Sequence, residues 1–196
     1  MTSLAVSLVL AGRYGFDPAQ LCEWRIEDAA EARRRSLGLP TSSEYDRVLE
    51  SDGDEQLRLV ERLLVHESWF LRHKRSFEHL CESVRTSRRK PTPRSPLRVL
   101  SAGCAAGEEP YSAAISLVEA GVEPEALHID AVDISPTVLR RAAAGVYSAR
   151  SVRGIPSDVR RRWFEPAEGG EWRLTEPIRR LVAFRLANVL DAANSP

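Results

Sequence analysis

Two glycines and an acidic residue near the middle of the sequence have the types and spacing that suit binding of a small molecule. Gly103 and Gly107 lie in a run of small residues that separates an apolar stretch from Glu108 and Pro110. Glycine lets the backbone approach a ligand closely, as at the first strand-to-helix turn of dinucleotide-binding folds. The GxGxxG spacing of those folds is absent, and the carboxylate of Glu108 would repel a phosphate at the helix start. The turn therefore disfavours a nucleotide phosphate as its ligand.

A second acidic residue, Asp133, extends this pattern. It stands 26 positions after Gly107, near the expected end of the apolar segment HIDAVDIS. A carboxylate at such a strand end accepts hydrogen bonds from both ribose hydroxyls in other nucleoside-binding α/β folds. The alternative role for Asp133 is to cap the helix that begins near Pro136. S-adenosylmethionine, which carries an ammonium and a sulfonium but no phosphate, fits an acidic helix start and a ribose-binding carboxylate.

These residues need strands and a helix to position them. Short apolar segments predict strands at about 97–101, 128–133 and 182–186, the first of them buried in a parallel sheet. Carboxylates and a proline from Glu108 to Pro110 are typical of a first helical turn, and Gly121 marks the helix end. Together these elements predict an α/β fold with the ligand at the carboxyl ends of the strands.

Three segments of the chain resemble one protein family. SAGCAAGEEPYS is similar to the cofactor-binding signature of the CheR family of chemotaxis-type protein-glutamate O-methyltransferases, AVDISPTVLRRAAAGVY to its next block, and HESWFLR to its N-E-T-x-F-F-R segment. Order and spacing agree from the N-terminal helices to Asn188, so the resemblance covers essentially the whole chain. It implies a Rossmann-like methyltransferase domain that uses S-adenosylmethionine, yields S-adenosylhomocysteine and methylates glutamate side chains of a protein.

The resemblance also implies the site residues. The expected cofactor-binding residues are His66, Ser68, Arg72, Glu108, Asp133, Asn188 and Val189. In the family the arginine matching Arg72 lies by the cofactor and the target carboxylate, so Arg72 is the candidate catalytic residue. Because a carboxylate is already ionised at pH 7, the reaction needs no strong general base, and positioning carries the catalysis.

Two positions depart from the family pattern. His66 stands where asparagine is usual, and Leu71 stands where a second phenylalanine is usual. A histidine can still donate a hydrogen bond, but its charge would weaken binding of a sulfonium if it were protonated. No carboxylate-histidine cluster with ligand spacing surrounds His66, so we expect no metal site.

Composition limits the classes of partner. The chain has 28 basic and 28 acidic residues, so no global charge favours nucleic acid or a membrane surface. Three distant cysteines without CxxC or zinc-ligand spacing are typical of a reducing cytoplasm. No stretch reaches the roughly 20 apolar residues of a membrane span, and no basic residue precedes the short apolar run at the start. We therefore expect a cytoplasmic protein without nucleic-acid binding or membrane insertion.

The expected domain organisation has two folded parts. The chain should divide into an N-terminal helical domain at 1–80, a basic, proline-rich linker at 81–96 and an incomplete methyltransferase domain at 97–196. Helices are predicted from Asp17, with Pro18 in the first turn, to Gly38, and at about 43–50 and 54–65. A loop and a short helix at about 156–163, capped by Ser157 or Asp158, are expected to cover the cofactor site.

Three arginines near the end of the first long helix, 33–35, have two interpretations. They form a solvated face with cations near the negative end of the helix dipole. By the resemblance, this helical domain offers basic residues to acidic helices of a chemoreceptor-like protein. Both interpretations are compatible.

Two further expectations concern function. A rival class is a non-catalytic module that holds S-adenosylmethionine, or no ligand, and acts through its helical domain, whereas an NAD-dependent enzyme is disfavoured by Glu108.

In the usual strand order of such folds, 3-2-1-4-5, the three predicted strands form one half of a sheet and leave the first strand with an unpaired edge. We expect a fragment or a natural truncation that binds cofactor weakly and methylates poorly.

Overall fold

The computed structural model describes residues 3–17, 20–64 and 67–193. Contacts divide the chain into two compact units, Met1–Val65 with Asn188–Pro196, and His66–Ala187. The helices are α1 Leu4–Leu8, α2 Glu23–Ser36, α3 Ser42–Ser51, α4 Gly53–Leu63, α5 Lys74–Thr86, α6 Glu108–Glu119, α7 Pro136–Ala144, α8 Ser157–Trp163, α9 Glu176–Arg179 and α10 Val189–Ala193. The strands are β1 Leu97–Ala102, β2 Leu127–Asp133, β3 Val146–Tyr147, β4 Phe164–Pro166, β5 Trp172–Leu174 and β6 Val182–Leu186. Helices followed by a parallel sheet confirm the predicted fold class.

Local sequence signals set two helices of the first unit. At the start of α3, the Thr41 side chain accepts from the Glu44 backbone N–H while the Glu44 carboxylate accepts from the Thr41 backbone, a reciprocal capping box. At the start of α4, the Asp52 carboxylate accepts from the two backbone N–H groups that follow Gly53. The predicted helices at 43–50 and 54–65 are confirmed as far as the structure describes them.

The prediction for α2 was wrong at its start. The helix begins at Glu23, after Cys22 in an extended conformation, and not at Asp17. The Asp17 backbone carbonyl accepts from the Gln20 N–H at 3.0 Å. Pro18 lies outside the described residues. The predicted end is close to the observed one, since Gly38 follows the helix with a φ of +68°.

The arginines at the end of α2 pair with carboxylates of the same unit. Arg33 makes two hydrogen bonds, of 2.8 and 2.6 Å, to Glu55, whose side chain is only 1% exposed. Arg34 and Arg35 both contact Glu31 at 2.7 Å. These contacts give the three arginines a structural role inside the helical unit.

The main sheet of the second unit has three parallel strands in the order β1-β2-β6. Ile129 at its centre pairs with Val99 on one side and with Val182 on the other. The three predicted strands and their order are therefore confirmed. In the described part of the chain β1 pairs with β2 alone, and Leu100 on β1 is 65% exposed.

A second sheet, small and antiparallel, was not predicted. Its order is β3-β5-β4, and its strands are two or three residues long. Such short strands give too few residues for an alternating pattern to show in the sequence. The predicted short helix between them is present as α8, but it begins after Pro156 and no side-chain cap is formed by Ser157 or Asp158.

The expected linker, 81–96, is partly helical. α5 continues through Cys81, which is 8% exposed, to Thr86. Cys81 packs in the core of the second unit, and its thiol lies 3.3 Å from the Ser116 carbonyl. The division between the two contact units falls at residues 65 and 66. α5 therefore lies in the same contact unit as the sheet.

Candidate functional site

The glycine turn joins β1 to α6 at the carboxyl end of the sheet. Gly103 has a φ of +71° and Gly107 a φ of +91°, both in the left-handed region that favours glycine. A Cβ on Gly107 would lie 3.0 Å from the Tyr147 hydroxyl and from the Cβ of Ala142, whereas a Cβ on Gly103 would meet no described atom within 4 Å. Gly107 is thus required for packing inside the protein, and Gly103 borders open space.

Glu108 occupies the first turn of α6. Its side chain is 4% exposed, and within the described part of the chain its Oε2 is buried with no hydrogen-bond partner. Burial raises the pKa of Glu108, while a backbone hydrogen bond, the charge of Arg141 and a hydrogen bond from Ser68 oppose that shift. An ionised, buried oxygen without a partner is costly, so a cationic or hydrogen-bond-donating ligand would stabilise it.

Asp133 ends β2 and faces the glycine turn. Its Oδ2 accepts from the Ala105 backbone N–H and its Oδ1 from the Ser135 backbone N–H, both at 2.9 Å. The actual cap of α7 is Ser135, whose hydroxyl accepts from Val138. Asp133 therefore fastens the turn to the start of α7, and each of its oxygens retains a lone pair for a ribose hydroxyl.

The surroundings of the turn are acidic. Burial raises the pKa of the Cys104 thiol to about 12, and the nearby charges of Asp133, Glu109 and Glu108 add to the shift. Three carboxylates around one turn would repel a phosphate and would attract an ammonium or a sulfonium. The residues present therefore fit S-adenosylmethionine, with the buried Oε2 of Glu108 as the clearest acceptor.

The segment at 67–72 lies against the first turns of α6. The Ser68 side chain acts to lower the pKa of Glu108, and the Leu71 backbone N–H donates to the Ser112 hydroxyl at 2.9 Å. Phe70 is fully buried, with its ring 4.8 Å from that of Tyr147 in an edge-on contact. Leu71 itself adopts a φ of +58°, which is strained for a residue with a large side chain.

Arg72 is held at the surface beside this segment. Its Nη1 donates to the Glu67 carbonyl at 2.7 Å, and its guanidinium stacks on the Trp69 ring at 4.7 Å from the ring centre. The remaining N–H groups of the guanidinium are available to bind a carboxylate. Trp69 is half-buried, so the expectation that it packs applies to one part of the ring.

The structure brings some predicted site residues together and leaves others apart. Ser68, Glu108 and Asp133 all lie around the glycine turn. His66 lies outside the described residues. Asn188 and Val189 belong to the other contact unit, where the Asn188 amide donates to the Arg13 carbonyl at 2.7 Å. Their role at the cofactor stays a prediction.

Sequence reasoning missed two residues that shape the site. Arg141 on α7 acts on the charge of Glu108, although the two are far apart in the chain. The Tyr147 hydroxyl donates to the Ala106 carbonyl at 2.8 Å and closes the turn from behind. Burial raises the pKa of Tyr147 well above its usual value, so it serves as a neutral donor. Both residues lie in the segment AVDISPTVLRRAAAGVY, whose resemblance to the family could have indicated that they belong to the site.

Comparison with known proteins identifies the family. A family model described as CheR methyltransferase, SAM binding domain, matches residues 66–196. This chain belongs to the CheR methyltransferase family, and its cofactor is S-adenosylmethionine.

Several curated proteins are similar to the chain. It is 36% identical over 184 residues to the probable biofilm formation methyltransferase WspC of Pseudomonas putida, covering 94% of this chain and 43% of that protein. It is 37% identical over 184 residues to WspC of Pseudomonas aeruginosa, covering 93% and 43%. It is 32% identical over 146 residues to chemotaxis protein methyltransferase 2 of Vibrio cholerae, covering 74% and 51%. The chain thus spans less than half the length of the two WspC proteins.

Neither a membrane span nor a metal-binding cluster is found among the described residues. The helices there fall short of the length and apolar content needed to cross a bilayer. The same residues contain no group of three or more histidine, cysteine or acidic side chains arranged to hold a metal ion.

Proposed function

We propose that this chain forms the part of a protein-glutamate O-methyltransferase that binds S-adenosylmethionine and presents it to a glutamate side chain of a partner protein. The observation that carries the proposal is Glu108, a 4%-exposed carboxylate beside a glycine turn, with one oxygen that has no partner among the described residues. Such an oxygen suits the ammonium of the cofactor, and Asp133 at the end of β2 suits its ribose.

The proposed methyl transfer requires the protein mainly to orient the methyl donor and the target carboxylate. When bound, S-adenosylmethionine supplies a methyl group on a positively charged sulfur. A glutamate oxygen forms the new bond to that carbon while the carbon–sulfur bond breaks, and the electron pair stays with sulfur. Because a methyl ester forms from a carboxylate, no proton is transferred, and a carboxylate is ionised at pH 7.

Arg72 is proposed to hold the target carboxylate or the cofactor tail. A guanidinium binds a carboxylate through two parallel hydrogen bonds, which fixes the direction of attack. Stacking of Arg72 on Trp69 limits the freedom of the guanidinium before a substrate arrives. The orientation then costs less when the complex forms.

The names of the relatives bear on the acceptor. They are called chemotaxis protein methyltransferases and biofilm formation methyltransferases. These names favour an enzyme over a non-catalytic module. We propose acidic helices of a chemoreceptor-like signalling protein, in the cytoplasm, as the methyl acceptor.

The test uses isotope-labelled S-adenosylmethionine and peptides with a single glutamate in an acidic helix. We expect saturable S-adenosylhomocysteine binding and label incorporated as a base-labile ester, absent when that glutamate is replaced by glutamine. Arg72→Ala should lower turnover while the thermal melt changes little, and Arg72→Lys should recover only part of the turnover because it lacks the planar fork. Saturable cofactor binding with no ester on any acidic helix would leave the chain a binding module and contradict the proposed activity.

A further inference from the structure

Trp69 carries two arginines on its ring. The guanidinium of Arg72 lies 4.7 Å from the ring centre and that of Arg153 lies 5.0 Å from it. Both arginines are exposed, although they come from segments 81 positions apart in the chain. Two like charges on one aromatic ring repel each other, and the attraction of each cation to the ring offsets part of that repulsion.

The backbone holds the two segments together firmly. The Phe70 N–H donates to the Ser151 carbonyl at 3.0 Å. A Cβ on Gly154 would approach the Phe70 carbonyl to 3.0 Å, so the loop at 148–155 is in close contact with the segment at 67–72. Phe70 itself is fully buried between Tyr147 and Phe164. The backbone segments that bear Arg72 and Arg153 are therefore held in a fixed position relative to each other.

The charge of this surface is unbalanced. A third arginine, Arg150, is 74% exposed and reaches the Glu67 carboxylate at 3.4 Å. Glu67 is 60% exposed and pairs with Arg150, whereas Arg72 and Arg153 have no carboxylate within ion-pair distance among the described residues. Three cations, one anion and an aromatic ring give a surface that favours an anionic partner.

We propose that Trp69, Arg72, Arg150 and Arg153, here called the Trp69 patch, form the docking surface for the acidic segment of the methyl-accepting protein that flanks its target glutamate. The inference rests on the proposed function. Arg72 would hold the target carboxylate, and the other two arginines would hold carboxylates one helical turn away. Side chains three or four positions apart on a helix are neighbours, about 5–6 Å apart at Cβ, which suits adjacent arginines.

A polypeptide fits the patch better than a nucleic acid does. The chain as a whole carries no net charge, whereas binding of a phosphate backbone depends on neutralising many phosphates with an excess of cations. The arginines in the last turn of α2 are already paired with Glu55 and Glu31. The Trp69 patch is thus the better candidate for recognising acidic side chains.

The experiment measures binding and methylation of a labelled helical peptide with one methylatable glutamate and further glutamates three and four positions away. A matched peptide has glutamine at those flanking positions. The variants are Arg150→Gln, Arg153→Gln and the double variant, with Arg98→Gln as control. Arg98 is 69% exposed at the amino end of β1. Its replacement removes one positive charge, as each patch variant does, but at the end of β1 opposite the glycine turn.

We expect each patch variant to weaken peptide binding about threefold and the double variant about tenfold at low ionic strength, as exposed charge pairs do. The loss should shrink in high salt and should vanish with the glutamine-flanked peptide. Affinity for S-adenosylhomocysteine and the thermal melt should stay at the wild-type values. Arg98→Gln should behave as wild type.

Other outcomes would overturn the inference. If the wild-type chain binds both peptides equally, or binds neither, the Trp69 patch does not read acidic flanks. If the patch variants lose affinity for single-stranded nucleic acid more than for the acidic peptide, the partner is of the wrong class. Selective loss of peptide binding in a chain that forms no methyl ester would retain the docking surface and contradict the proposed function alone.

Discussion

The structure distinguishes between helix capping and ribose binding as roles of Asp133. Its carboxylate accepts from the Ala105 and Ser135 backbone N–H groups, and each oxygen retains a lone pair for a further donor. Helix capping and ribose binding were alternatives in the sequence. The capping role belongs to Ser135, so the carboxylate serves the turn and remains available for a ribose.

Asp133→Ala should therefore weaken S-adenosylhomocysteine binding by roughly 1.5–3 kcal/mol, since charge-assisted hydrogen bonds are lost. It should also lower the free energy of unfolding by about 1–3 kcal/mol, because the Ala105 N–H loses its partner. Calorimetry and chemical denaturation measure the two losses. Asp130→Asn, a change at another carboxylate of the same strand, is the control for affinity. Unchanged affinity in a folded Asp133→Ala variant would remove this residue from the site.

Glu108 makes the stability of the protein depend on pH. Its folded-state pKa is raised above the usual value of 4.5, chiefly by burial. The folded state then binds a proton more readily than the unfolded state, so stability falls as pH rises from about 4.5 through the folded-state pKa. The carboxyl group is thus less costly to the fold when it is neutral.

Glu108→Gln should raise stability at neutral pH relative to wild type and remove that decline, because the amide carries no charge. The same variant should bind S-adenosylhomocysteine less tightly, since the amide replaces a charged acceptor. Thermal melts across about pH 4–8 and calorimetry measure the two effects. Glu109→Gln, at the exposed neighbouring position, is the matched control for the pH dependence of stability. A wild-type melt that is equally stable across this range would show that burial does not raise the pKa in solution.

At the scale of elements, the turn between β1 and α6 depends on two glycines for different reasons. A Cβ on Gly107, where φ is +91°, would contact its neighbours at 3.0 Å, whereas one on Gly103, where φ is +71°, would enter space that no described atom fills. One glycine serves the packing of α6 against α7, and the other leaves room above the turn. Because both residues are glycine, the sequence alone does not show which of them is needed for packing.

Gly107→Ala should destabilise the protein by about 2 kcal/mol or more, because backbone strain and a clash with the Tyr147 hydroxyl add together. Gly103→Ala should cost about 1 kcal/mol from backbone strain alone. It should weaken S-adenosylhomocysteine binding out of proportion to that cost, since the methyl group enters the open space. Denaturation and calorimetry on both variants test the contrast. Equal stability losses would contradict this division of roles.

At the scale of the whole molecule, the sheet leaves an apolar side chain exposed on β1. In the described part of the chain β1 pairs only with β2, and Leu100 is 65% exposed. An unpaired strand edge with apolar side chains favours association between molecules. The curated relatives extend well beyond the length that this chain covers.

Leu100→Lys should reduce self-association of the 196-residue chain while the free energy of unfolding changes by less than about 0.5 kcal/mol, as for an exposed substitution. Light scattering and sedimentation at increasing concentration measure the association. Leu4→Lys, at a position 74% exposed on α1, is the matched control away from the sheet edges. A large loss of stability in Leu100→Lys would mean that this side chain is buried in solution.

The sequence by itself determined the features that depend on short windows of residues. Apolar runs located β1, β2 and β6, apolar residues at helical spacing located α4, and the segments around Gly103 and Asp133 identified the family. Periodicity and capping act over a few neighbouring residues, so they can be seen in the chain before it folds. The start of α2 was not predicted correctly, because Asp17 and Pro18 resemble a helix start. The small antiparallel sheet was not predicted, because its strands are too short to show an alternating pattern.

Only the tertiary structure decided how residues far apart act on one another. The burial of the Glu108 carboxylate, the attachment of Asp133 to the turn and the pairing of Arg33 with Glu55 depend on contacts across the fold. The stacking of both Arg72 and Arg153 on Trp69 depends on contact between the loop at 148–155 and the segment at 67–72. Desolvation and charge interactions are set by which atoms surround a group in space, and sequence spacing does not fix that surrounding.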